Sequence, residues 1–421
     1  MISLFRLNYT PQPSEQPYLS RIQNQSDEHA EISIAILTSL EAKQILGVPL
    51  ANRGLQAIWV RVKNKSENGT RLLMTKIARD YFTAREAAGV CHFSILKRLL
   101  AFGFAGWFLL PLVILALPFK LYAVRRANEK MNACFQQLSF PLKNIAPGTT
   151  SEGIVFAPRD FGTKVVDVAL VMNMDVKEYR FSVDLVGPKV DHQLTLAPTA
   201  ASEEKQDLDL ATLLHKLRGL PATTTNALGG RTGDPVNLAV IGQFATLIGV
   251  FAPRWDQTEI ITLGSCWRTF KSFLTGAEYR YSPVSALYLF SRPQDFALQR
   301  VRDSINERIH LRLWSTSWLF QGQPVWVGQI SRDIGVRFTW KTWNLTTHRI
   351  DSDVDEARDY VMEDLFESGR LLGGGYLPGV GACTRENPRH NLTGDPYFTD
   401  GNRAVLMVSE EKTLPKIFQW A

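Results

Sequence analysis

Between Leu99 and Tyr122 the chain reads LLAFGFAGWFLLPLVILALPFKLY, and the run up to Phe119 is about as long as a helix needs to cross the hydrocarbon of a bilayer. Such a stretch must be covered either by lipid or by a large protein core. Basic residues border both ends, Lys97 and Arg98 before it and Lys120, Arg125, Arg126 and Lys130 after it. A single crossing usually gathers positive charge on one side, so the symmetry places both ends on the same side. Pro111, with Gly103 and Gly106 nearby, then marks a re-entrant bend, and a membrane-inserted segment over about 97–122 with the form of a monotopic hairpin is expected. A plain single span is the alternative. No secretory signal peptide is expected, since Met-Ile-Ser-Leu-Phe-Arg lacks a basic stretch followed by a long apolar core.

The sequence on either side of this segment reads as strands. Before it, 31–38 and 56–64 alternate, and 70–74 follows the Asn68-Gly69 turn signal. After it, 153–157, 164–172 and 178–187 have the same character, with Val165, Val168, Leu170, Tyr179, Phe181 and Val183 available for a core. The expectation is one β-sandwich-like domain over 1–190, interrupted in sequence by the membrane-inserted helical segment. A polar stretch over 191–233, with a short helix at 208–218, reads as a linker. The remainder, 234–421, mixes strands at 236–241, 286–290, 309–314, 324–330, 336–339 and 404–409 with helices at 262–276 and 353–372. The fold class expected is α+β throughout.

A length of 421 residues fits two domains, and 45% apolar with 21% charged residues is the composition of a chain that folds. The formal charge of +6 is dispersed and no basic motif with interleaved aromatics appears, so nucleic acid is not expected as a partner. Cys91, Cys134, Cys266 and Cys383 lie far apart without a C-x-x-C pair, which leaves neither a zinc ribbon nor a redox motif. Gly373-Gly374-Gly375-Tyr-Leu-Pro-Gly379-Val-Gly381 follows a helix and contains Pro378, contrary to a dinucleotide turn, and is read as a mobile loop. No Walker lysine and no G-x-S-x-G elbow occurs.

Several ordered blocks carry a resemblance. They are Pro235-Val-Asn237-Leu-Ala-Val-Ile-Gly242, Ser282-Pro-Val-Ser-Ala-Leu-Tyr-Leu-Phe290, Gln294-Asp295, His310-Leu-Arg312-Leu-Trp314, Pro324-Val-Trp-Val-Gly328, Arg332-Asp333-x-Gly335 and Thr347-His348-x-Ile350-Asp351-x-Asp353-x-Asp355-Glu356-x-Arg358-Asp359. Over about residues 234–370 the chain resembles the LssY C-terminal domain family. The resemblance implies an envelope setting: the family takes its name from a protein of a type I secretion locus, and related chains are joined to DedA-like membrane regions or lipid-phosphatase-type domains. Neither of those regions is visible in this sequence.

The densest polar cluster joins His348 to Asp351, Asp353 and Asp355, with His310, Arg312 and Asp333 on strands that could approach it. One reading is hydrolytic. His348, Asp351 and Asp353 would hold a divalent metal, and His348, Asp351, His310, Arg312 and Asp333 would form the catalytic set, with Arg312 meeting an anionic substrate such as a phosphate. The other reading is structural. Asp353 with Glu356 forms a capping-box-like helix start, and His310 and Arg312, which share one side of a strand, pair with Asp333 or Asp351. An EF-hand is rejected, because Glu356 and Met362 stand where glycine and glutamate are needed.

The sequence thus leads to a membrane-anchored LssY-like envelope protein acting in secretion or lipid-related envelope organisation. The alternative is a membrane-bound metal-dependent hydrolase of phosphorylated or lipid substrates. The lipid bilayer and an envelope protein are the partners expected, and the residues leave the cofactor open.

Overall fold

The computed structural model describes residues 9–94, 110–172, 175–185, 204–257, 285–301, 307–338 and 346–419. These fall into two compact units, one within Met1–Asp160 and Val165–Val186, the other within Phe161–Lys164 and Gly187–Ala421. Both mix helices and strands.

In the first unit, β1 (Gln23–Ser26), β2 (Ala30–Ile36), β3 (Leu55–Asn64) and β5 (Thr150–Pro158) form one antiparallel sheet, and β4 (Thr70–Leu72), β6 (Thr163–Met172) and β7 (Asp175–Asp184) form another. Successive side chains of a strand point to opposite faces. Ile32 and Ile34 of β2 and Ile58, Val60 and Val62 of β3 therefore pack with Val166, Val168, Leu170, Tyr179 and Phe181 between the sheets. The opposite face, with Leu55, Ala57, Trp59 and Phe156, is covered by helices Ser39–Leu46, Ala84–Cys91 and Leu110–Leu138. The result is a sandwich with a helical layer on one side. Two of these helices open on capping boxes, Thr38 with Glu41 and Thr83 with Glu86, which satisfy amides that a first turn cannot. Cys91 and Cys134 are free thiols in the helical layer.

The strands before and after the apolar stretch pair directly, β3 against β5 from Leu55↔Pro158 to Lys63↔Thr150. Of the stretch itself, residues 95–109 lie outside the described residues, and the rest begins the Leu110–Leu138 helix. Pro111 stands in its first turn, where a missing amide costs nothing. In the later part of this helix Val124, Ala127, Met131, Cys134 and Phe135, at helical spacing, are buried. Met131 and Phe135 alone contribute about 1.5–3 kcal/mol each by burial. Before that docked part, Phe119 and Tyr122 are 77% and 67% exposed.

Among the described residues no helix is long and apolar enough to cross a membrane. The sequence-based expectation of a membrane-inserted segment over about 97–122 is therefore not supported by the described helix. The reason is physical: its apolar part, Leu110 to Phe119, ends at Lys120, and Arg125 and Arg126 follow within two turns.

The second unit is built on a ten-stranded mixed sheet of order β12-β15-β16-β17-β11-β22-β19-β23, with β8 on β16 and β18 on β17. Its strands are β8 (Gln206–Leu208), β11 (Leu238–Ile241), β12 (Asp256–Gln257), β15 (Phe296–Val301), β16 (Glu307–Phe320), β17 (Gln323–Phe338), β18 (Thr346–Ile350), β19 (Leu371–Pro378), β22 (Asn402–Val408) and β23 (Lys416–Gln419). The strands expected at 324–330 and 336–339 are one strand, β17. It follows β16 through Gln321 and Gly322, both at positive φ as a two-residue hairpin turn requires.

One face of this sheet carries Ala239, Ile241, Trp314, Val325, Val327, Val405 and Met407 under helix Leu210–Arg218, whose Leu213 and Leu217 are fully buried. A small sheet joins it there: β9 (Thr223–Thr225), β10 (Thr232–Pro235), β13 (Tyr288–Leu289) and β14 (Arg292–Pro293). The stretch read as a linker thus supplies core to this unit from residue 206 onward. Elsewhere, helix Val354–Glu367 anchors Arg254, Arg300 and Trp255 through the buried Asp364.

Up to Pro378 the glycine-rich run read as a mobile loop is β19, paired with β22 on one side and β23 on the other. A Cβ on Gly374 would stand 3.1 Å from Leu406 Cδ2 and 3.6 Å from Met362 Cε, so the missing side chain lets helix Val354–Glu367 approach the strand. The helix expected at 262–276 lies outside the described residues.

Candidate functional site

Alternation along β16 places Arg308, His310, Arg312 and Trp314 on one face. The register sets Asp333, Ser331, Gln329 and Val327 of β17 opposite them, in that order, and Gln299 of β15 beside His310. At the Trp314 end the face is apolar and belongs to the core under helix Leu210–Arg218. Towards Arg308 it is polar, yet Gln299, Arg308, His310, Arg312, Gln329, Ser331 and Asp333 are all buried. Burying charge stabilises a fold only where partners replace water, so the contacts of this stripe define what it can do.

His310 Nε2 and Asp333 Oδ2 are 2.8 Å apart. The carboxylate accepts, so Nε2 carries the proton and Nδ1 keeps a lone pair. That Nδ1 is buried without a hydrogen-bond partner among the described residues. Arg308 Nη1 donates to Gln299 Oε1 at 3.2 Å, and its Nη2 stands 3.9 Å from Asp333 Oδ2. Arg312 Nη1 donates to Gln329 Oε1 at 2.6 Å, and its Nε to the Ser285 carbonyl at 3.3 Å. Gln329 Nε2 in turn donates to Asp234 Oδ2 at 3.3 Å, while Asn391 Nδ2 donates to Asp234 Oδ1 at 3.1 Å.

Desolvation lowers the pKa of His310 against the opposing pull of Asp333, and Arg308 and Arg312 push it the same way as burial. Desolvation also lowers both arginines, with Asp333 acting against it in each and Asp234 in Arg312 as well. Burial raises the Asp234 carboxyl, which Arg312 and Asn391 counter. The stripe therefore presents a neutral imidazole between two guanidinium groups.

Of the residues singled out from sequence, His310, Arg312 and Asp333 come together here. Asp351 and Asp353 do different work. Asp351 Oδ1 accepts the Asp353 amide at 3.1 Å, and Asp353 Oδ1 accepts the Asp355 amide at 3.2 Å as the N-cap of helix Val354–Glu367. Glu356 does not close a capping box; it lies 3.4 Å from Arg332 Nη1. Asp355 accepts from the Thr399 hydroxyl and the Asp400 amide, and Arg358 bridges Asp355, Asp359 and Asp400. His348 sits on β18 opposite Val336, and its side chain lies outside the described residues. Among the described residues no group of three or more histidine, cysteine or acidic side chains could hold a metal ion.

Residues 217–402 match the family model LssY C-terminus. The second unit carries an LssY C-terminal domain. No curated protein matches the chain. The matched span of the LssY domain starts near the end of helix Leu210–Arg218 and reaches the first residue of β22, so it includes every residue of the polar stripe. Sequence reasoning missed Arg308, Gln299, Gln329 and Asp234. Extending the Arg312, His310 alternation back by two residues would have reached Arg308, whereas Asp234 joins only through the fold.

Proposed function

We propose that the chain is a membrane-attached envelope protein whose LssY domain acts in secretion or lipid-related envelope organisation, with the bilayer and an envelope protein as its partners. One observation carries the membrane reading: the chain entering the apolar stretch is fastened to the helix leaving it. His92 Nε2 lies 2.9 Å from Asn132 Oδ1, and the Phe93 amide donates to Asn128 Oδ1 at 3.0 Å. A stretch whose two ends are held side by side suits a hairpin that enters and leaves one leaflet. Lengths agree, since Leu110 to Phe119 at 1.5 Å per residue reaches roughly 15 Å, about half the hydrocarbon thickness. Exposed Phe119 and Tyr122 next to Lys120, Arg125 and Arg126 are the residue types that settle at the headgroup level.

Flotation of the full chain with phosphatidylcholine–phosphatidylglycerol vesicles tests this reading. The protein should rise with the vesicles and stay with them in high salt, and Leu112→Lys with Leu115→Lys should leave it at the bottom of the gradient. Wild-type protein that remains at the bottom would overturn it.

A further inference from the structure

The polar stripe of the LssY domain has a property that neither membrane attachment nor core packing uses. His310 is 5% exposed, its Nε2–H is committed to Asp333, and its Nδ1 lone pair has no donor among the described residues. A buried acceptor left without a donor costs about 1–3 kcal/mol, so it marks a place where a bound donor would be stabilising. The surroundings restrict what that can be. Arg308 and Arg312 occupy the positions two residues before and after His310 on the same face, and both are buried. A guanidinium favours planar recognition of oxyanions, and in a site shielded from water each is worth more than at the surface. Asp333 offsets one of the two positive charges, and burial favours the neutral form of the Asp234 carboxyl, so an occupant that is both an anion and a hydrogen-bond donor suits the stripe. Asp234, Arg312 and His310 keep 7%, 6% and 5% of their surface, whereas Gln299 and Gln329 keep none.

We propose that the His310, Arg308 and Arg312 stripe is a binding site for a monoprotonated phosphate group, either inorganic phosphate or a phosphomonoester, whose P–OH donates to His310 Nδ1 while its anionic oxygens face the two arginines. Sulfate has the same shape but no proton near neutral pH, and a phosphodiester has none either, so the site discriminates against both. Asp333 is a positioning residue: by accepting from Nε2 it fixes the tautomer that leaves Nδ1 basic. This inference is independent of the membrane reading and survives its failure.

The test is thermal unfolding and calorimetric titration of the full chain with inorganic phosphate, glycerol 3-phosphate, short-chain phosphatidic acid below its micelle concentration, and sulfate at matched ionic strength. Phosphate or a phosphomonoester should bind saturably at least tenfold more tightly than sulfate. Tightest binding of phosphatidic acid would place the phosphomonoester on a lipid, and equal binding of inorganic phosphate would place it in solution. His310→Phe keeps the ring shape and removes the Nδ1 acceptor, so it should erase the preference over sulfate. Should that variant not fold, histidine nitrogen NMR of the wild type decides instead: the Nδ1 resonance of His310 should move on adding phosphate and stay fixed with sulfate. Equal affinity for phosphate and sulfate, no binding of either, or an unmoved Nδ1 resonance would overturn the proposal.

Discussion

Asn128 grips both backbone polar groups of Phe93, accepting its amide at Oδ1 over 3.0 Å and donating from Nδ2 to its carbonyl over 3.4 Å. A side-chain amide used in this way imitates a strand partner, and it ties the last described residues before the apolar stretch to the helix after it. Asn128→Ala removes both bonds at once. With each bond worth about 0.5–1.5 kcal/mol, the first unit should lose about 1–2 kcal/mol in urea unfolding, and Asn128→Asp, which keeps only the acceptor, should lose less.

Acid should weaken the LssY domain through His310. Burial holds its pKa below the ordinary value of about 6.5, so the unfolded chain takes up a proton more readily than the folded one. The stability contributed by keeping His310 neutral is complete above that ordinary value and is lost as pH falls from it towards the depressed folded value. The groups facing the ring are Asp333, Arg308, Arg312 and, across Gln329, Asp234. Urea midpoints of wild type and His310→Gln, compared between about pH 7.5 and about pH 5, should converge as the pH falls. A constant difference across that range would contradict the assignment.

Asp353 can be tested as a cap against the alternative of a metal ligand. Asp353→Ala should cost about 1 kcal/mol of stability, while Asp353→Asn, whose carbonyl can still accept the Asp355 amide, should cost only a few tenths. Urea unfolding of the two variants in metal-free buffer and in millimolar magnesium separates the roles, because a ligand would show a metal-dependent loss in both.

Gly153 has no room for a side chain. A Cβ there would stand 2.5 Å from both the Cα and the amide nitrogen of Phe140, and backbone cannot swing aside as a side-chain tip can. Gly153→Ala should destabilise the first unit by about 1–3 kcal/mol, read as a lowered urea midpoint with an unchanged slope.

Much of the mixed α+β character was legible because strands write themselves as alternation. The stretch read at 164–172 is β6 at Thr163–Met172, and 56–64 is β3 at Leu55–Asn64. What misled was composition taken without its neighbours. Gly373 to Gly375 look like a loop in isolation, yet they are strand, and the missing side chain of Gly374 is what seats a helix against β19. Within the candidate site, His310, Arg312 and Asp333 could be grouped from strand parity alone. The Asp351 and Asp353 pair could not be assigned that way, since acidic residues two apart serve equally as metal ligands and as a helix start, and the helix-start role shows only in the Asp355 amide bound to Asp353. Asp234 was out of reach because Gln329, the residue that bonds it, lies 95 residues further along the chain.

The pairing of β3 with β5 also sets an order of events during synthesis. Asn64 leaves the ribosome long before Thr150, so the first sheet must wait, open along the β3 edge, until the whole apolar stretch and the helix behind it have been made. The apolar Leu99 to Phe119 segment therefore leaves the ribosome before β5 can close the sheet, and the finished domain records that order as a seam between strands from the two ends of the detour.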